Sequence, residues 1–309
     1  MTMETESPKD TQPQSRWRRW SRRAVLELGY LVFLLVLLEA MLRLAGWIWL
    51  VPRNLSQGPT NPNDSEIRIL AIGESTTFGQ GVSPEDAYPK QLERMLNDGS
   101  EKTYRVINTG VPGQTSTSIL RNIRYQMETY RPQFVLGLFG INDTNEALND
   151  LSARVAFGFN VPEWVADLRI YRLACIVRDY ALHHPKIEEH GAWTFFDRDQ
   201  RGEDGGWVDN PFFLEQLKRN TAEIIEIVRS EGADYAMLSY LKSNEPLRKV
   251  LVEIAEENDV LYIDLFDEEA GNKGLFTADG FHPNEEGHRV MAEKIYEGLL
   301  ENESLGESR

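Results

Sequence analysis

Four short stretches of this 309-residue chain carry residue types that can make or break a covalent bond. The first is Gly73-Glu74-Ser75-Thr76-Thr77-Phe78-Gly79. A serine that follows a buried strand in a glycine-flanked turn presents its hydroxyl to a cleft, with backbone N–H groups beside it, as a nucleophile requires. Thr77 stands where a G-x-S-x-G elbow needs glycine, and no Gly-Lys-Ser/Thr follows, so neither that elbow nor a phosphate-binding loop is written here. Alone, such a serine is most often a helix N-cap. The second stretch is Asn108-Thr109-Gly110-Val111-Pro112-Gly113-Gln114-Thr115-Ser116. Its two glycines permit close backbone approach or positive φ, so that an N–H can point into a cleft; the plain reading is a turn.

The third stretch, Phe139-Gly140-Ile141-Asn142-Asp143, ends in a pair that ordinarily makes a turn. Asn142 at a strand's carboxyl end can also aim its amide at a developing oxyanion. The fourth is Asp279-Gly280-Phe281-His282. An aspartate three residues before a histidine, across a glycine turn, can fold back onto the imidazole, fix its tautomer and leave the other nitrogen as a general base. The remaining histidines are His183, His184, His190 and His288, none with so evident an orienting partner. Their spacing shows neither H-x-x-x-H nor H-E-x-x-H, so no metal site is expected.

These stretches act together only if the fold brings them to one edge. Residues 67–72, 104–107, 134–139, 235–240 and 260–264 are short, β-branched or aromatic-rich, and nearly continuous in apolar character. Strands of that kind are buried on both faces, as in a parallel sheet. Helical periods lie between them, as at Tyr88, Leu92 and Met95/Leu96 or Ile224, Ile225 and Val228. The alternation predicts a three-layer α/β/α fold with a doubly wound, five-stranded, flavodoxin-like parallel sheet. Each chemical stretch then sits at the carboxyl end of a strand or in the last loop before the final helix, and those positions share one edge. An insertion over 144–211 breaks the rhythm. It holds a helix-like piece over 164–180 and a polar stretch over 197–210, and reads either as a lid or substrate wall or as a structural excursion.

In order and spacing the four stretches resemble the SGNH hydrolases, the GDSL-like esterases and lipases. Ser75 in GES corresponds to the GDS block, Gly113 in VPGQT to the glycine block, Asn142 in GIND to the GxND block, and Asp279 with His282 in DGFH to the DxxH block. The similarity runs from about residue 67 to residue 300, with Glu74 standing in place of the usual aspartate. It implies a serine hydrolase acting on ester bonds, with Ser75, His282 and Asp279 as triad. The N–H groups of Ser75 and Gly113 and the Asn142 amide form the oxyanion hole. No cofactor and no metal are implied.

The chain carries 49 acidic and 33 basic residues, a formal charge of −16, which argues against a nucleic-acid partner. Its one cysteine, Cys175, can form no internal disulfide. Residues 1–23 run against the trend, with six bases and three acids. Behind them the apolar run 24–51 is long enough, at about 42 Å as a helix, to cross a hydrocarbon core of about 30 Å. Tyr30 lies near one end and Trp47 and Trp49 near the other, and the preceding arginines place the N-terminus in the cytoplasm. Glu39 and Arg43 object to this, each costing about 2.5–3.5 kcal/mol at mid-membrane, though four residues apart they can pair. A cleaved export signal, with Ser21-Arg22-Arg23 loosely like a twin-arginine motif, and a helix packed on the body are the alternatives.

The expected organisation is a basic tail (1–23), a transmembrane anchor (24–51), a linker (52–66) and an extracytoplasmic hydrolase domain (67–303). The expected function is removal or transfer of a short acyl group, O-acetyl foremost, on a carbohydrate or other envelope ester, with acylated polysaccharide as the partner. Trp164, Trp193 and Trp207 in the insertion are candidates for stacking on sugar rings, against the commoner role of packing. A catalytically silent glycan-binding or scaffold subunit, and a lysophospholipase or thioesterase, are the competing readings.

Overall fold

The five apolar runs form a single sheet in the computed structural model, which describes residues 14–57, 66–143, 157–183, 211–242, 245–270 and 272–302. The strands are β1 (Glu66–Gly73), β2 (Thr103–Asn108), β3 (Phe134–Leu138), β4 (Asp234–Leu238) and β5 (Leu261–Ile263). All four pairings are parallel, in the order β2-β1-β3-β4-β5. This is the flavodoxin-like, doubly wound order that the sequence predicts. Val135 and Leu136 in the central strand β3 are wholly buried, as are Ile69, Leu70 and Ala71 beside them in β1.

The helices are α1 (Gln14–Gln57), α2 (Ser75–Phe78), α3 (Tyr88–Asn97), α4 (Ser116–Tyr130), α5 (Glu163–Ala166), α6 (Arg169–His183), α7 (Pro211–Ser230), α8 (Glu245–Glu257) and α9 (Glu285–Glu301). α3 packs with α9 on one face of the sheet, while α4, α7 and α8 cover the other. α3 starts with Pro89 in its first turn, where the missing N–H costs nothing, and buries Tyr88, Leu92 and Leu96 along one side. Each such large side chain taken from water contributes about 1.5–3 kcal/mol.

α1 is long and apolar enough over Arg23–Gly46 to cross a membrane. It continues to Gln57, six residues into the stretch whose composition reads as a linker. Composition does not register this, because extending a formed helix adds one hydrogen bond for each residue fixed. The 164–180 piece divides into α5 and α6 at Asp167 and Leu168. The exposed amides at the start of α6 find their acceptor far away in sequence. The Glu39 carboxylate of α1 takes the N–H groups of Arg169 at 3.1 Å and Ile170 at 2.9 Å. Arg43 donates to the same carboxylate at 2.7 Å and reaches the carbonyl of Asp167 at 3.5 Å. Arg121 of α4 holds the Asp167 carboxylate at 2.8 Å, so α1, the insertion and α4 are joined through the side chains of Glu39, Arg43, Asp167 and Arg121.

Candidate active site

Ser75 opens α2 directly after β1, and its side chain is almost wholly buried at 7% exposure. Its Oγ stands 2.9 Å from Nε2 of His282. On the other side of that ring, Nδ1 lies 2.7 Å from Oδ2 of Asp279. The carboxylate neighbour assigns the proton to Nδ1, which leaves the Nε2 lone pair facing the serine hydroxyl. Three further donors converge on Oδ1 of Asp279: Thr277 Oγ1 at 2.7 Å, the Phe281 N–H at 2.8 Å and the His282 N–H at 2.9 Å. Burial alone would raise the pKa of this carboxyl. The hydrogen bonds from His282, Phe281 and Thr277 outweigh it and hold the group down at about 2. The Thr277 N–H closes the loop onto the His282 carbonyl at 2.8 Å.

The two glycines of the second stretch play the two parts open to that residue. Gly110 lies so close to α2 that a Cβ there would fall 2.3 Å from the Phe78 nitrogen. The loop is tied down further by Asn108, whose amide donates to the Thr77 carbonyl at 2.7 Å. Gly113 has φ of 73°, which an L side chain rarely adopts, and it is exposed at the rim. Asn142, buried after β3, donates one amide hydrogen to the carbonyl of Gln114 at 3.1 Å. That bond sets the plane of the amide and leaves its second hydrogen for a ligand. Ser75, His282 and Asp279 thus form one hydrogen-bonded line. Asn142 is bonded to Gln114, the residue after Gly113, at the same strand edge.

Two buried carboxylates have roles that the motifs do not assign. Glu74 is wholly buried, caps α2 through the Thr76 N–H at 3.3 Å, and accepts from Ser75 Oγ at 2.5 Å. The serine has one proton and two acceptors for it, Glu74 and His282. The signal was an acidic residue immediately before the nucleophile, which in sequence looks only like a strand end. Asp143, read as half of a turn pair, accepts from the Ser116 N–H at 3.0 Å and from the Ser116 hydroxyl. It therefore anchors the first turn of α4 and the loop that carries Gly113. Asn220 of α7 donates to the same hydroxyl at 2.9 Å.

His288 is buried, with Nδ1 accepting from the Tyr88 N–H at 3.2 Å and its ring stacked on Tyr88. Of the side chain of His183 nothing is described, and His184, His190, Trp193 and Trp207 lie outside the described residues. Among the described residues no group of His, Cys, Asp or Glu is arranged to hold a metal ion.

Asp143 and His288 give the fold opposite responses to acid. Burial lifts Asp143 from 3.8 to about 6 against the hydrogen bonds from Ser116. Its stability contribution is complete below about pH 4 and is lost as pH rises through 6. Burial, aided by the nearby His282, lowers His288 from 6.5 to about 4. That contribution is complete above about pH 6.5 and is lost as pH falls through 4. Between pH 4 and 6 the slopes oppose, each at most about 1.4 kcal/mol per pH unit. Relative to wild type, Asp143→Asn should lose melting temperature as pH drops from 6 to 4, and His288→Gln should gain it. Calorimetric curves running parallel to wild type would remove these groups from the acid response.

A family model described as GDSL-like Lipase/Acylhydrolase family matches residues 71–290. No curated protein matches the chain. Solved structures similar to it include the psychrotrophic esterase EstA from Pseudoalteromonas sp., inhibited by monoethylphosphonate, with TM-score 0.50, 16% identity, and coverage of 77% of this chain and 98% of that one. TesA follows with TM-score 0.49, 18% identity, and coverage of 75% and 97%. The lipase/acylhydrolase from Enterococcus faecalis has TM-score 0.46, 17% identity, and coverage of 76% and 96%. At 16% identity the likeness to EstA concerns the fold alone.

Proposed function

The chain belongs to the GDSL-like lipase/acylhydrolase family, a family of serine ester hydrolases, and from that premise we propose that it is a membrane-tethered esterase of the extracytoplasmic side. It cleaves or transfers a short acyl group, O-acetyl foremost, on a carbohydrate or other envelope ester. The observation that carries this reading is the line Asp279–His282–Ser75, with contacts of 2.7 and 2.9 Å. The basic residues ahead of the apolar stretch support the placement of the body outside the cytoplasm.

In this reading Ser75 Oγ attacks the ester carbonyl as His282 Nε2 takes its proton, and the carbonyl π pair moves onto oxygen. The N–H groups of Ser75 and Gly113 and the second hydrogen of the Asn142 amide receive that oxyanion; one such donor is worth about 2.7–4 kcal/mol. Collapse expels the alcohol, which leaves with the proton from Nε2. Water, or the hydroxyl of an acceptor sugar, then attacks the acyl-serine with His282 again as base. Asp279 holds the ring in the tautomer both steps need.

The test is turnover of p-nitrophenyl esters, acetate through octanoate, by the full-length chain in detergent, beside labelling by a fluorophosphonate probe. Activity that falls with chain length, with the probe on the peptide containing Ser75, is expected. A preference for octanoate overturns the short-acyl assignment in favour of a lysophospholipase or thioesterase. Absence of both turnover and label overturns the esterase reading, and label without turnover assigns acyl transfer.

A further inference from the structure

Beyond α1, seven large apolar side chains stand exposed among the described residues, and five of them fall within 157–177: Phe157, Phe159, Trp164, Leu173 and Val177. Phe159, Trp164 and Val177 are 61, 68 and 57% exposed. On α6, Ile170, Leu173, Ala174 and Val177 recur at helical spacing. A soluble amphipathic helix turns such a stripe inward; here Leu173, Ala174 and Val177 face out while Cys175 is buried. A sixth exposed residue, Tyr125, lies one turn along α4 from Arg121, which holds Asp167. Soluble surfaces rarely gather apolar side chains in this way.

What covers the patch follows from its attachment to α1. Glu39 stands about 24 Å along α1 from Arg23 and about 10 Å short of Gly46. In a hydrocarbon layer about 30 Å thick, that is roughly 6–10 Å beneath the outer boundary. The start of α6 is bonded there, and Asp167 is held by Arg43, about one turn nearer the boundary. An interfacial amphipathic helix buries its apolar face about 5–10 Å at this boundary, and Trp, Phe and Leu are the side chains it uses. The charge is suitable as well. Within 157–183, Arg169, Arg172 and Arg178 balance Glu163, Asp167 and Asp179, so this part of an acidic protein is not repelled by anionic headgroups.

We infer that residues 157–177 are seated in the outer-leaflet interface of the membrane that α1 spans, with the Glu39 carboxylate as the joint between anchor and insertion. The inference rests on the reading of α1 as a retained anchor. Because α4 begins at Ser116, beside the loop of Gly113, and meets the insertion at Arg121, the active-site rim stands about 8 Å of helix from this seat.

The full chain, with Cys175→Ala and one added cysteine in place of Phe159, Trp164 or Glu231, is labelled with an environment-sensitive dye. It is reconstituted in phosphatidylethanolamine/phosphatidylglycerol vesicles containing lipid with a nitroxide at acyl carbon 5. Glu231, exposed beside the amino end of β4, is the control at the opposite edge of the sheet. Quenching at positions 159 and 164 at least about threefold stronger than at 231, with blue-shifted emission, is the expected result. Equal quenching at the three positions, while the protein resists carbonate extraction, overturns the interfacial seat but not the anchor. Protection from aqueous iodide without nitroxide quenching overturns it in favour of a covering protein surface or second copy. Release by carbonate overturns the anchor reading, and the inference with it.

Discussion

Ser75→Ala should lower kcat/KM for p-nitrophenyl acetate by about 10⁴-fold or more, equivalent to about 5.5 kcal/mol of transition-state stabilisation. The Thr77 hydroxyl is not arranged to replace it: Thr77 Oγ1 is turned to the Tyr88 hydroxyl at 3.2 Å, inside the core. What remains after the substitution is binding by the oxyanion donors, which other hydrolases retain when their nucleophile is lost. Stability should change far less than activity but should not be untouched. Glu74 Oε2 loses its bond from Ser75 and keeps that from the Thr76 N–H, so a drop of about 1–3 kcal/mol is expected from calorimetry. Residual turnover above about one percent of wild type would remove Ser75 from the nucleophile's place.

Asp279→Asn should cost about 10²–10⁴-fold in kcat with KM little changed, and His282→Ala should cost more. Asparagine can keep its oxygen on Thr277, Phe281 N–H and His282 N–H, so the loop should hold its shape. Its amide hydrogens, however, face Nδ1 of His282. The ring responds by moving its proton to Nε2, and Ser75 then meets a donor where it needs an acceptor. A circular dichroism spectrum and melting temperature close to wild type, with the loss confined to kcat, distinguish this from collapse of the loop. Equal turnover in Asp279→Asn and wild type would take Asp279 out of the triad. With its carboxyl held at about 2, Asp279 stays ionised at any pH where the protein is assayed.

Much of the scaffold was legible because parallel strands buried on both faces advertise themselves as unbroken apolar runs. β1, for example, could be read from Ile67 to Ile72, one residue short of its observed bounds at each end. The chemical stretches were legible for a related reason: a strand's carboxyl end is followed at once by its loop, so Ser75 and Asn142 declare their location by neighbours alone. What stayed hidden is bonded across long separations. Asp143 meets Ser116 27 residues away, and nothing in Asn-Asp distinguishes a helix anchor from a turn. His288 meets Tyr88 across 200 residues, so its burial cannot be read from the last helix. The division of 164–180 depends on Glu39, 130 residues earlier, accepting the amides that an uninterrupted helix would have used itself. The charge that argued against a membrane helix is the partner the insertion uses.

The Glu39 joint also bears on how the catalytic body moves. A domain connected to its anchor only through residues 58–65 would swing about that connection, and its active site would sweep a volume set by the length of chain. A second attachment 130 residues away removes that pivot. With α1 as the retained anchor we propose, the body is a bracket instead of a pendulum, holding its rim at one height and in one orientation. Substrates borne on the same surface would then be met by sliding in two dimensions, whereas dissolved ones would have to arrive along a single line of approach.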